Sequence, residues 1–377
     1  MSLIAIDLFC GCGGVTRGFS DAGIRVAAGI DLDENCKATY ERNNKKSKFI
    51  LDDVTNLCGP DLLKHLGRVK PGDKLLLSAC APCQPFSQQN RNKRIDSERR
   101  VLTQVARLVR ELEPDFVFLE NVYGLKNVPG YSAFRRLLNT LSELGYKTES
   151  AMVDARDFGV PQIRKRFVLT AVRDGDSVWP DATHGLDLRP YATVRDVIEK
   201  FPPLKHGQKH TTVPNHIAAA LSELNLRRIK ATPRDGGSRR EWPAPLKLAC
   251  HSAHDGHPDV YGRLRWDAPA PTLTTKCTSL SNGRYGHPEQ HRAISAKEAA
   301  ALQGFKKRYV FVASIDVLRR LIGNAVPPPV ARHFGSAFVE RAKEKSRRVP
   351  RWRKLLQRSK LVAMHQRESR LPVRHAS

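Results

Sequence analysis

The sequence contains no apolar run long enough to cross a membrane. A spanning helix needs about 20 consecutive apolar residues, and the runs in this chain of 377 residues are far shorter. The amino terminus also lacks the basic stretch that precedes the apolar core of a secretory signal. The eight cysteines are scattered along the chain, which predicts reduced thiols in a cytosol-like compartment. We therefore expect neither a membrane protein nor a secreted disulfide scaffold.

Acidic residues are few compared with basic ones. The chain has 64 Lys and Arg residues against 38 Asp and Glu residues, so its formal net charge is +26. Such an excess attracts polyanions, above all nucleic acids. Anionic membrane surfaces are the competing partner, but the sequence shows no amphipathic helix with an exposed aromatic face to anchor it there. Because charge gives affinity without sequence choice, it predicts a nucleic-acid partner but no particular target.

The length of 377 residues allows one large domain or two smaller ones, and the first half of the chain predicts an α/β fold. It opens with a strand over residues 3–9, a turn rich in glycine, and a helix over residues 15–22. This unit is typical of a Rossmann-like fold that binds a phosphate or a cofactor. The glycines at Gly11, Gly13 and Gly14 do not have the Gly-x-Gly-x-x-Gly spacing, which argues against a dinucleotide. A tight strand–helix turn without a ligand is the alternative.

A cysteine lies between two prolines just after a later strand. The apolar run at residues 74–79 predicts a buried parallel strand, and Ala-Pro-Cys-Gln-Pro-Phe-Ser follows at residues 81–87. Open α/β sheets bind ligands beyond the carboxyl ends of their strands. Cys83 is therefore placed to be a nucleophile if its thiolate is stabilised. A small buried hydrophobic residue is the alternative.

Carboxylates stand at the ends of three other predicted strands. Asp31 follows the strand at 26–30, Asp53 is near the end of the strand at 49–54, and Glu120 follows the strand at 115–119. An acid at the end of the second strand can accept hydrogen bonds from ribose hydroxyls. A carboxyl beside a strand end that carries a cysteine is what a catalytic site needs. Each acid alone could instead cap a helix.

Several blocks occur together in one order. They are Asp-Leu-Phe-x-Gly-x-Gly-Gly at residues 7–14, Pro-Cys-Gln at 82–84, Glu-Asn-Val at 120–122, Gln-x-Arg-x-Arg at 162–166 and Gly-Asn-Ala-Val-Pro at 323–327. This set closely resembles the DNA (cytosine-5)-methyltransferases of the bacterial restriction-modification or solitary type, over about residues 3 to 340. The resemblance implies a Rossmann-like, S-adenosylmethionine-dependent methyltransferase domain with a mostly parallel sheet. It also implies a smaller, irregular target-recognition domain.

The resemblance assigns roles to individual residues. The catalytic residues it implies are Cys83, Glu120, Gln162, Arg164 and Arg166. The residues it implies for S-adenosylmethionine are Phe9, Gly11, Gly13, Gly14, Asp31, Leu32, Asp53, Val54, Pro82, Asn324 and Ala325. Asp31 would bind the ribose, and Leu32, Asp53 and Val54 the adenine. No metal is expected.

The resemblance also implies a division of the chain into four parts. Residues 1–174 form the catalytic, cofactor-binding domain, 175–310 the target-recognition domain, 311–342 a return to the catalytic domain, and 343–377 a basic tail. Candidate readers of the DNA groove are Arg234, Arg239, Arg240, His251, His254, Arg263 and Arg265. Zinc at the His-rich patch beside Cys250 is the alternative, but no second ligand pair has a standard spacing.

The basic tail is expected to combine solubilising disorder with extra DNA affinity. Trp352, Leu355, Leu356 and Leu361 could make part of it helical. Deleting the residues after Arg347 is then expected to reduce the salt dependence of DNA binding without changing the target sequence.

The predicted function is methyl transfer from S-adenosylmethionine to carbon 5 of cytosine in a specific double-stranded DNA sequence, through base flipping and a covalent bond from Cys83 to carbon 6. A tRNA cytosine-5 methyltransferase and an inactive DNA-binding relative are the alternatives. A redox or zinc site at Cys80-x-x-Cys83 leaves the other blocks unexplained. The enzyme is expected to be a monomer in a prokaryotic cytoplasm, and any cognate restriction endonuclease would act as a separate protein.

Overall fold

The protein, described from a computed structural model, is built on one seven-stranded sheet. The structure describes residues 1–81, 95–121, 132–248, 259–344 and 350–357, with only the backbone of 95–100 and 132. The strand order is β3-β2-β1-β4-β5-β7-β6. The first five strands run parallel, and β7 runs antiparallel to both of its neighbours. The strands are β1 (Leu3–Leu8), β2 (Arg25–Asp31), β3 (Lys48–Leu51), β4 (Lys74–Ala79), β5 (Phe116–Asn121), β6 (Lys147–Asp154) and β7 (Lys165–Val172).

Helices precede, connect and follow these strands. They are α1 (Gly14–Asp21), α2 (Lys37–Asn43), α3 (Gly59–Leu63), α4 (Ile95–Leu112), α5 (Ser132–Glu143), α6 (Val194–Ile198), α7 (Glu223–Ala231), α8 (Ala296–Leu302), α9 (Ile315–Asn324) and α10 (Pro328–Ala342). Short 3-10 helices occupy Glu34–Cys36, Ala155–Phe158, Arg239–Glu241, Ala244–Leu246 and Leu280–Asn282. Within the described ranges, no helix is both long enough and apolar enough to cross a bilayer.

Successive side chains of each strand face two different helix layers. In β4, Leu75 and Leu77 pack on the side of α3, α4 and α5, whereas Leu76 packs on the side of α1 and α10. A strand buried on both faces is apolar at most of its positions, which explains the apolar runs in the sequence. The predicted α/β fold with a mostly parallel sheet is confirmed.

The parallel strands end at one edge of the sheet, which we call the carboxyl edge. β1 ends at Leu8, β2 at Asp31, β4 at Ala79 and β5 at Asn121. The register pairs Ala79 with Leu119, so the chain that leads from β4 toward Cys83 leaves the sheet beside Glu120. The fold therefore brings the sequence blocks that follow these strands to a common edge.

The region after β7 has little regular structure and two apolar cores. One is small and local, and contains Ile229, Trp242, Leu246, Tyr261, Leu280 and Ala293. The other joins residues such as Trp266 and Ile294 to Cys12 and Tyr40 of the first β-α units. This part of the chain is thus irregular, as predicted, but much of it packs directly on the first β-α units.

The described part of the tail is folded onto the sheet. Residues 351–357 are helical, and Trp352 is fully buried. Its indole Nε1 donates to Asp115 Oδ2 at 3.1 Å, and the same oxygen accepts from the backbone N–H of Leu75 at 2.8 Å. Asp115 precedes β5, so this helix lies at the edge opposite Glu120. The expected helical segment is present, while residues 358–377 lie outside the described residues.

We expect the Trp352→Ala variant to lose about 3 kcal/mol or more of its free energy of unfolding, because removal of the buried indole leaves a cavity and takes one hydrogen bond from the buried carboxylate of Asp115. Thermal and urea unfolding measure the loss. Leu186→Ala, at a leucine that is 91% exposed, is the control and should change little. Equal stabilities of the two variants would contradict this role. Deletion of the residues after Arg347 also removes this core residue. We therefore expect the deletion to lower the free energy of unfolding, in addition to its effect on the salt dependence of DNA binding.

Candidate active site

The turn after β1 has a strained backbone that only certain residues tolerate. Phe9 has a φ of 59°, and Gly11 and Gly13 have φ values of 51° and 89°. A Cβ added to Gly13 would lie 2.5 Å from Asn44 Nδ2, whereas one added to Gly11 would meet nothing within 4 Å. Gly13 is therefore needed for packing, and Gly11 leaves open space at the carboxyl edge.

Gly14 serves a close approach between two distant segments. A Cβ on Gly14 would lie 2.3 Å from the carbonyl oxygen of Val326. The glycine thus lets α1 begin directly against the segment that precedes α10. Ala325 is buried in this segment and Asn324 is exposed, so the structure places both beside the turn that the resemblance assigns to the cofactor.

Asp31 is held by two backbone N–H groups. Its Oδ2 accepts from Gly11 at 2.7 Å, and its Oδ1 accepts from Asp33 at 2.9 Å. Burial raises the pKa of Asp31, and these hydrogen bonds oppose the rise. The next residue, Leu32, is 69% exposed. A fixed carboxylate beside an exposed apolar side chain suits a ligand with hydroxyl groups and a flat ring.

Asp53 and Val54 lie in the turn after β3, the neighbour of β2. The Oδ1 of Asp53 accepts from the backbone N–H of Thr55 at 2.8 Å, and Val54 is buried in the core beside Ile30. Both are therefore at the same sheet edge as Asp31, but the side chain of Val54 has little surface exposed to solvent.

A buried acid beneath the glycine turn was missed by the sequence reasoning. Asp7 is fully buried and accepts from Thr16 Oγ1 at 2.7 Å and from Ser78 Oγ at 3.0 Å. Burial raises its pKa to about 6. It ties β1, α1 and β4 together. The available signal was an acid within an otherwise apolar strand.

Glu120 lies at the end of β5 with an arginine beside it. Its Oε1 is 3.4 Å from Arg166 Nε, and the two side chains are 10% and 20% exposed. Burial raises the pKa of Glu120, and the charges of Arg166 and Arg164 oppose that rise. The three side chains line a small cavity of about 10 Å³ with apolar walls from β6, β7 and the chain around α10. The fold thus brings the Glu-Asn-Val and Gln-x-Arg-x-Arg blocks together in space.

Cys83 and Pro82 lie outside the described residues. The described chain reaches Ala81, whose carbonyl accepts from Asn121 Nδ2 at 3.4 Å. Cys80 is next to Glu120, and burial raises its pKa well above the usual range. The Cys80 thiol is therefore unsuited to act as the nucleophile.

Gln162 does not face a ligand site. It is fully buried, its Oε1 accepts from Leu273 N at 2.9 Å, and its Nε2 donates to Gln303 Oε1 at 2.6 Å. Its amide is used within the protein, so direct contact with substrate, as expected of a catalytic residue, does not agree with its surroundings.

Arg164 also points into the protein. It is 2% exposed and donates to the carbonyl of Leu273 at 3.2 Å, of Gly323 at 3.0 Å and of Ala325 at 3.2 Å. Contact between Arg164 and a phosphate does not agree with these surroundings, because so deeply buried a guanidinium cannot reach one. Its charge still acts on Glu120.

Four of the predicted groove readers are arginines that are either exposed or fully buried. Arg234, Arg240 and Arg265 are exposed. Arg263 is fully buried and donates to four backbone carbonyls, those of Ile229, Thr232, His287 and Gln290. Its assignment as a groove reader was therefore wrong, because its guanidinium donors are already bonded to carbonyls inside the protein.

His251, His254 and Cys250 lie outside the described residues, so the zinc alternative at this patch is not tested there. Arg239 is half-buried. Among the residues that the structure describes, no group of three or more His, Cys, Asp or Glu side chains is arranged to hold a metal ion.

Comparison with known proteins shows similarity to one family over most of the chain. The profile of the C-5 cytosine-specific DNA methylases matches residues 3–340. The type II methylase M.HgiDII of Herpetosiphon aurantiacus is 39% identical over 352 residues, covering 91% of this chain and 97% of its own. The type II methyltransferase M1.HphI of Haemophilus parahaemolyticus is 30% identical over 344 residues, covering 90% and 87%.

Solved structures share the fold at lower identity. A DNA modification methyltransferase encoded within an E. coli prophage superposes with a TM-score of 0.70 at 23% identity, covering 91% of this chain and all of that one. The Dnmt2 methyltransferase of S. pombe gives a TM-score of 0.56 at 18% identity over the same shares. These structural similarities support the assignment of the fold.

Proposed function

The chain belongs to the family of C-5 cytosine-specific DNA methylases, and from this premise we propose that it methylates cytosine at carbon 5 within one specific sequence of double-stranded DNA. Its enzyme class is DNA (cytosine-5)-methyltransferase. The observation that carries the proposal is the Glu120–Arg166 pair at the end of β5, beside the strand end that leads to Cys83.

The proposed chemistry begins with a nucleophile, because carbon 5 of cytosine is unreactive in the intact ring. The base first leaves the helical stack, since its ring faces are covered inside a duplex. The thiolate of Cys83 then adds to carbon 6, which places the electron pair of the former double bond at carbon 5. After carbon 5 has taken a methyl group, a base removes its proton and the thiolate is eliminated.

Glu120 and Arg166 are proposed to stabilise the ring while it carries this extra charge. Because burial raises the pKa of Glu120, its carboxyl can retain a proton and share it with ring nitrogen 3. The other oxygen accepts from the exocyclic amine, and Arg166 donates to the carbonyl oxygen. Preorganised donors in a site shielded from water are the largest common source of rate enhancement.

The described residues fit S-adenosylmethionine, which supplies the methyl group when bound. Gly11 leaves open space, Asp31 presents a carboxylate fixed by two N–H groups, and Leu32 is exposed. We propose that Asp31 binds the ribose hydroxyls, that Leu32, Asp53 and Val54 border the adenine, and that the amino acid end lies along the glycine turn. Phe9, Gly13, Gly14, Pro82, Asn324 and Ala325 complete the proposed cofactor site.

Gln162 and Arg164 are proposed to position the site without touching substrate. Gln162, Gln303 and Arg164 hold the segments around Leu273 and Ala325 by buried hydrogen bonds. The segment around Leu273 belongs to the proposed recognition domain, and that around Ala325 to the proposed cofactor site. This junction fixes the two regions relative to Glu120.

The proposed domains are 1–174 with 311–342 for catalysis and 175–310 for recognition. The small core around Trp242 and Tyr261 is the best candidate for an independent recognition unit. Exposed Arg234, Arg240 and Arg265 are the proposed DNA contacts, while the excess of basic residues provides general affinity. We further propose that the enzyme acts on cytoplasmic DNA as a monomer, with any cognate endonuclease acting separately.

Base-resolution bisulfite sequencing tests this function. The chain is expressed in a bacterial host free of DNA methylation, and methylcytosine is expected at one position of one short sequence. Scattered methylcytosine would contradict sequence-specific recognition. Methylcytosine absent from DNA but present in tRNA would favour the tRNA enzyme. Its absence from both, with folded protein present, would favour an inactive DNA-binding protein.

A further inference from the structure

An ion pair connects α9 to the turn after β2. The guanidinium Nη1 of Arg320 lies 2.5 Å from Asp33 Oδ2. The two side chains are separated by 287 residues in the sequence and are 38% and 26% exposed. Neither residue belongs to the blocks that carry the proposed function. The proposed function therefore does not explain the pair.

The pair acts on Asp31 through the backbone. Asp33 Oδ1 accepts from the backbone N–H and the side chain of Asn35 at 3.1 and 2.7 Å, which leaves Oδ2 for Arg320. The backbone N–H of Asp33 donates to Asp31 Oδ1 at 2.9 Å, and Asp31 Oδ2 accepts from Gly11 at 2.7 Å. Arg320, Asp33, Asp31 and Gly11 therefore form one continuous chain of contacts that ends in the glycine turn.

We propose that Arg320 is a positioning residue for the nucleoside part of the cofactor, because it fixes the turn at residues 31–33 that carries Asp31 and Leu32. The inference rests on the proposed function, which assigns those two residues to the ribose and the adenine. It adds a contribution from α9, whose sequence shows no cofactor motif before Gly323.

Electrostatics supports this role. Asp31 and Asp33 are two carboxylates on one short turn, and the charge of Asp33 adds to the rise in the pKa of Asp31 that burial causes. Arg320 is among the groups that lower the pKa of Asp33 against its own burial. Removing the cation leaves the two acids to repel each other and frees the turn that presents Leu32.

Because the pair is partly exposed, its loss should leave the fold intact. Arg320→Met removes the charge and keeps much of the side-chain length, and Arg320→Lys restores a cation. Arg319→Met is a matched control, since Arg319 lies next in the same helix and pairs with Asp316 at 2.8 Å within that helix. Both methionine variants change the net charge equally.

The test is the dissociation constant of S-adenosylhomocysteine, measured by calorimetry on the full chain without DNA. We expect Arg320→Met to bind about fivefold more weakly, at the upper end for a partly exposed ion pair. Arg320→Lys should recover most of the affinity, and Arg319→Met should match the wild type. The KM for S-adenosylmethionine should rise in proportion, with kcat, DNA affinity and the midpoint of thermal unfolding unchanged.

A double-mutant cycle separates this pair from general destabilisation. Asp33→Asn keeps an oxygen for Asn35 but removes the charge, so the double variant with Arg320→Met should bind no more weakly than Arg320→Met alone. Additive losses, wild-type affinity in Arg320→Met, or an equal loss in Arg319→Met would each overturn the inference. A wild-type protein that binds no S-adenosylhomocysteine would instead overturn the proposed function on which the inference rests.

Discussion

The Cys83→Ala variant is expected to lose methyl transfer by at least about a thousandfold while it still binds DNA, since only the covalent step is removed. Alanine has no nucleophile for carbon 6, so carbon 5 never gains the electron pair it needs. Transfer of labelled methyl groups to DNA measures the first effect, and an electrophoretic mobility shift measures the second. Turnover near the wild-type rate would refute the assignment of Cys83.

Cys80→Ala is the matched control for this experiment. Cys80 lies three residues earlier, and burial raises the pKa of its thiol well above the usual range, so it should contribute no thiolate. We expect most of the activity to remain. Equal loss in both variants would favour the redox or zinc reading of the Cys-x-x-Cys pattern. A covalent complex with DNA that carries 5-fluorocytosine should form with wild type and Cys80→Ala, but not with Cys83→Ala.

The Glu120→Gln variant is expected to lower kcat by about a hundredfold to a thousandfold, a loss typical of removing one group that stabilises transition-state charge. Glutamine keeps the shape of the side chain, but it cannot share an acidic proton with ring nitrogen 3. Single-turnover methyl transfer at saturating DNA measures the chemical step without product release. A loss confined to KM would contradict this role, because it would indicate uniform binding.

Glu113→Gln provides a control with similar local chemistry. Glu113 precedes β5, at the end opposite Glu120, and pairs with Arg173 at 2.5 Å. Both acids thus flank the same strand and contact arginines near the two ends of β7. Removing Glu113 should leave kcat unchanged. A comparable loss in both variants would show that ion pairs around β5 stabilise the fold, and would remove the case for catalysis by Glu120.

The wild-type rate should also depend on pH through Glu120. Burial raises the pKa of this carboxyl, so its protonated form persists to higher pH than that of an exposed glutamate. Since the proposed role uses the proton, kcat should fall as pH rises through that raised value. Glu120→Gln should lack this decline.

Much of the fold, and the convergence of the functional blocks at one edge of the sheet, could be predicted from the sequence. Strands such as β4 and β5 contain continuous apolar runs, and parallel strands must end at a common edge, so residues that follow them converge. Gln162, Arg164 and Arg263 could not be placed in this way. Their partners are buried groups of the protein itself, and nothing in a side chain's type shows whether it will face a ligand or the protein interior.

The packing of the tail and the ion pair between Arg320 and Asp33 could not be predicted from the local sequence either. Its basic composition made the tail resemble a disordered DNA-binding extension, yet Trp352 is fully buried against the edge opposite Glu120. Arg320 and Asp33 are 287 residues apart, and each looks like an ordinary surface charge in its local sequence. Contacts between such distant positions depend on how the chain returns to the sheet.

The sequence by itself determined the class of sheet, the order of the functional blocks and the family, because these depend on local periodicity and on residue types at fixed spacing. The tertiary structure alone decided which polar side chains are buried. Gln162 and Arg164 form buried hydrogen bonds at the junction of two regions, while Glu120 lies beside Arg166 at the carboxyl edge of the sheet. The physical reason is that irregular buried backbone must find hydrogen-bond donors, and only the folded chain determines which side chains supply them.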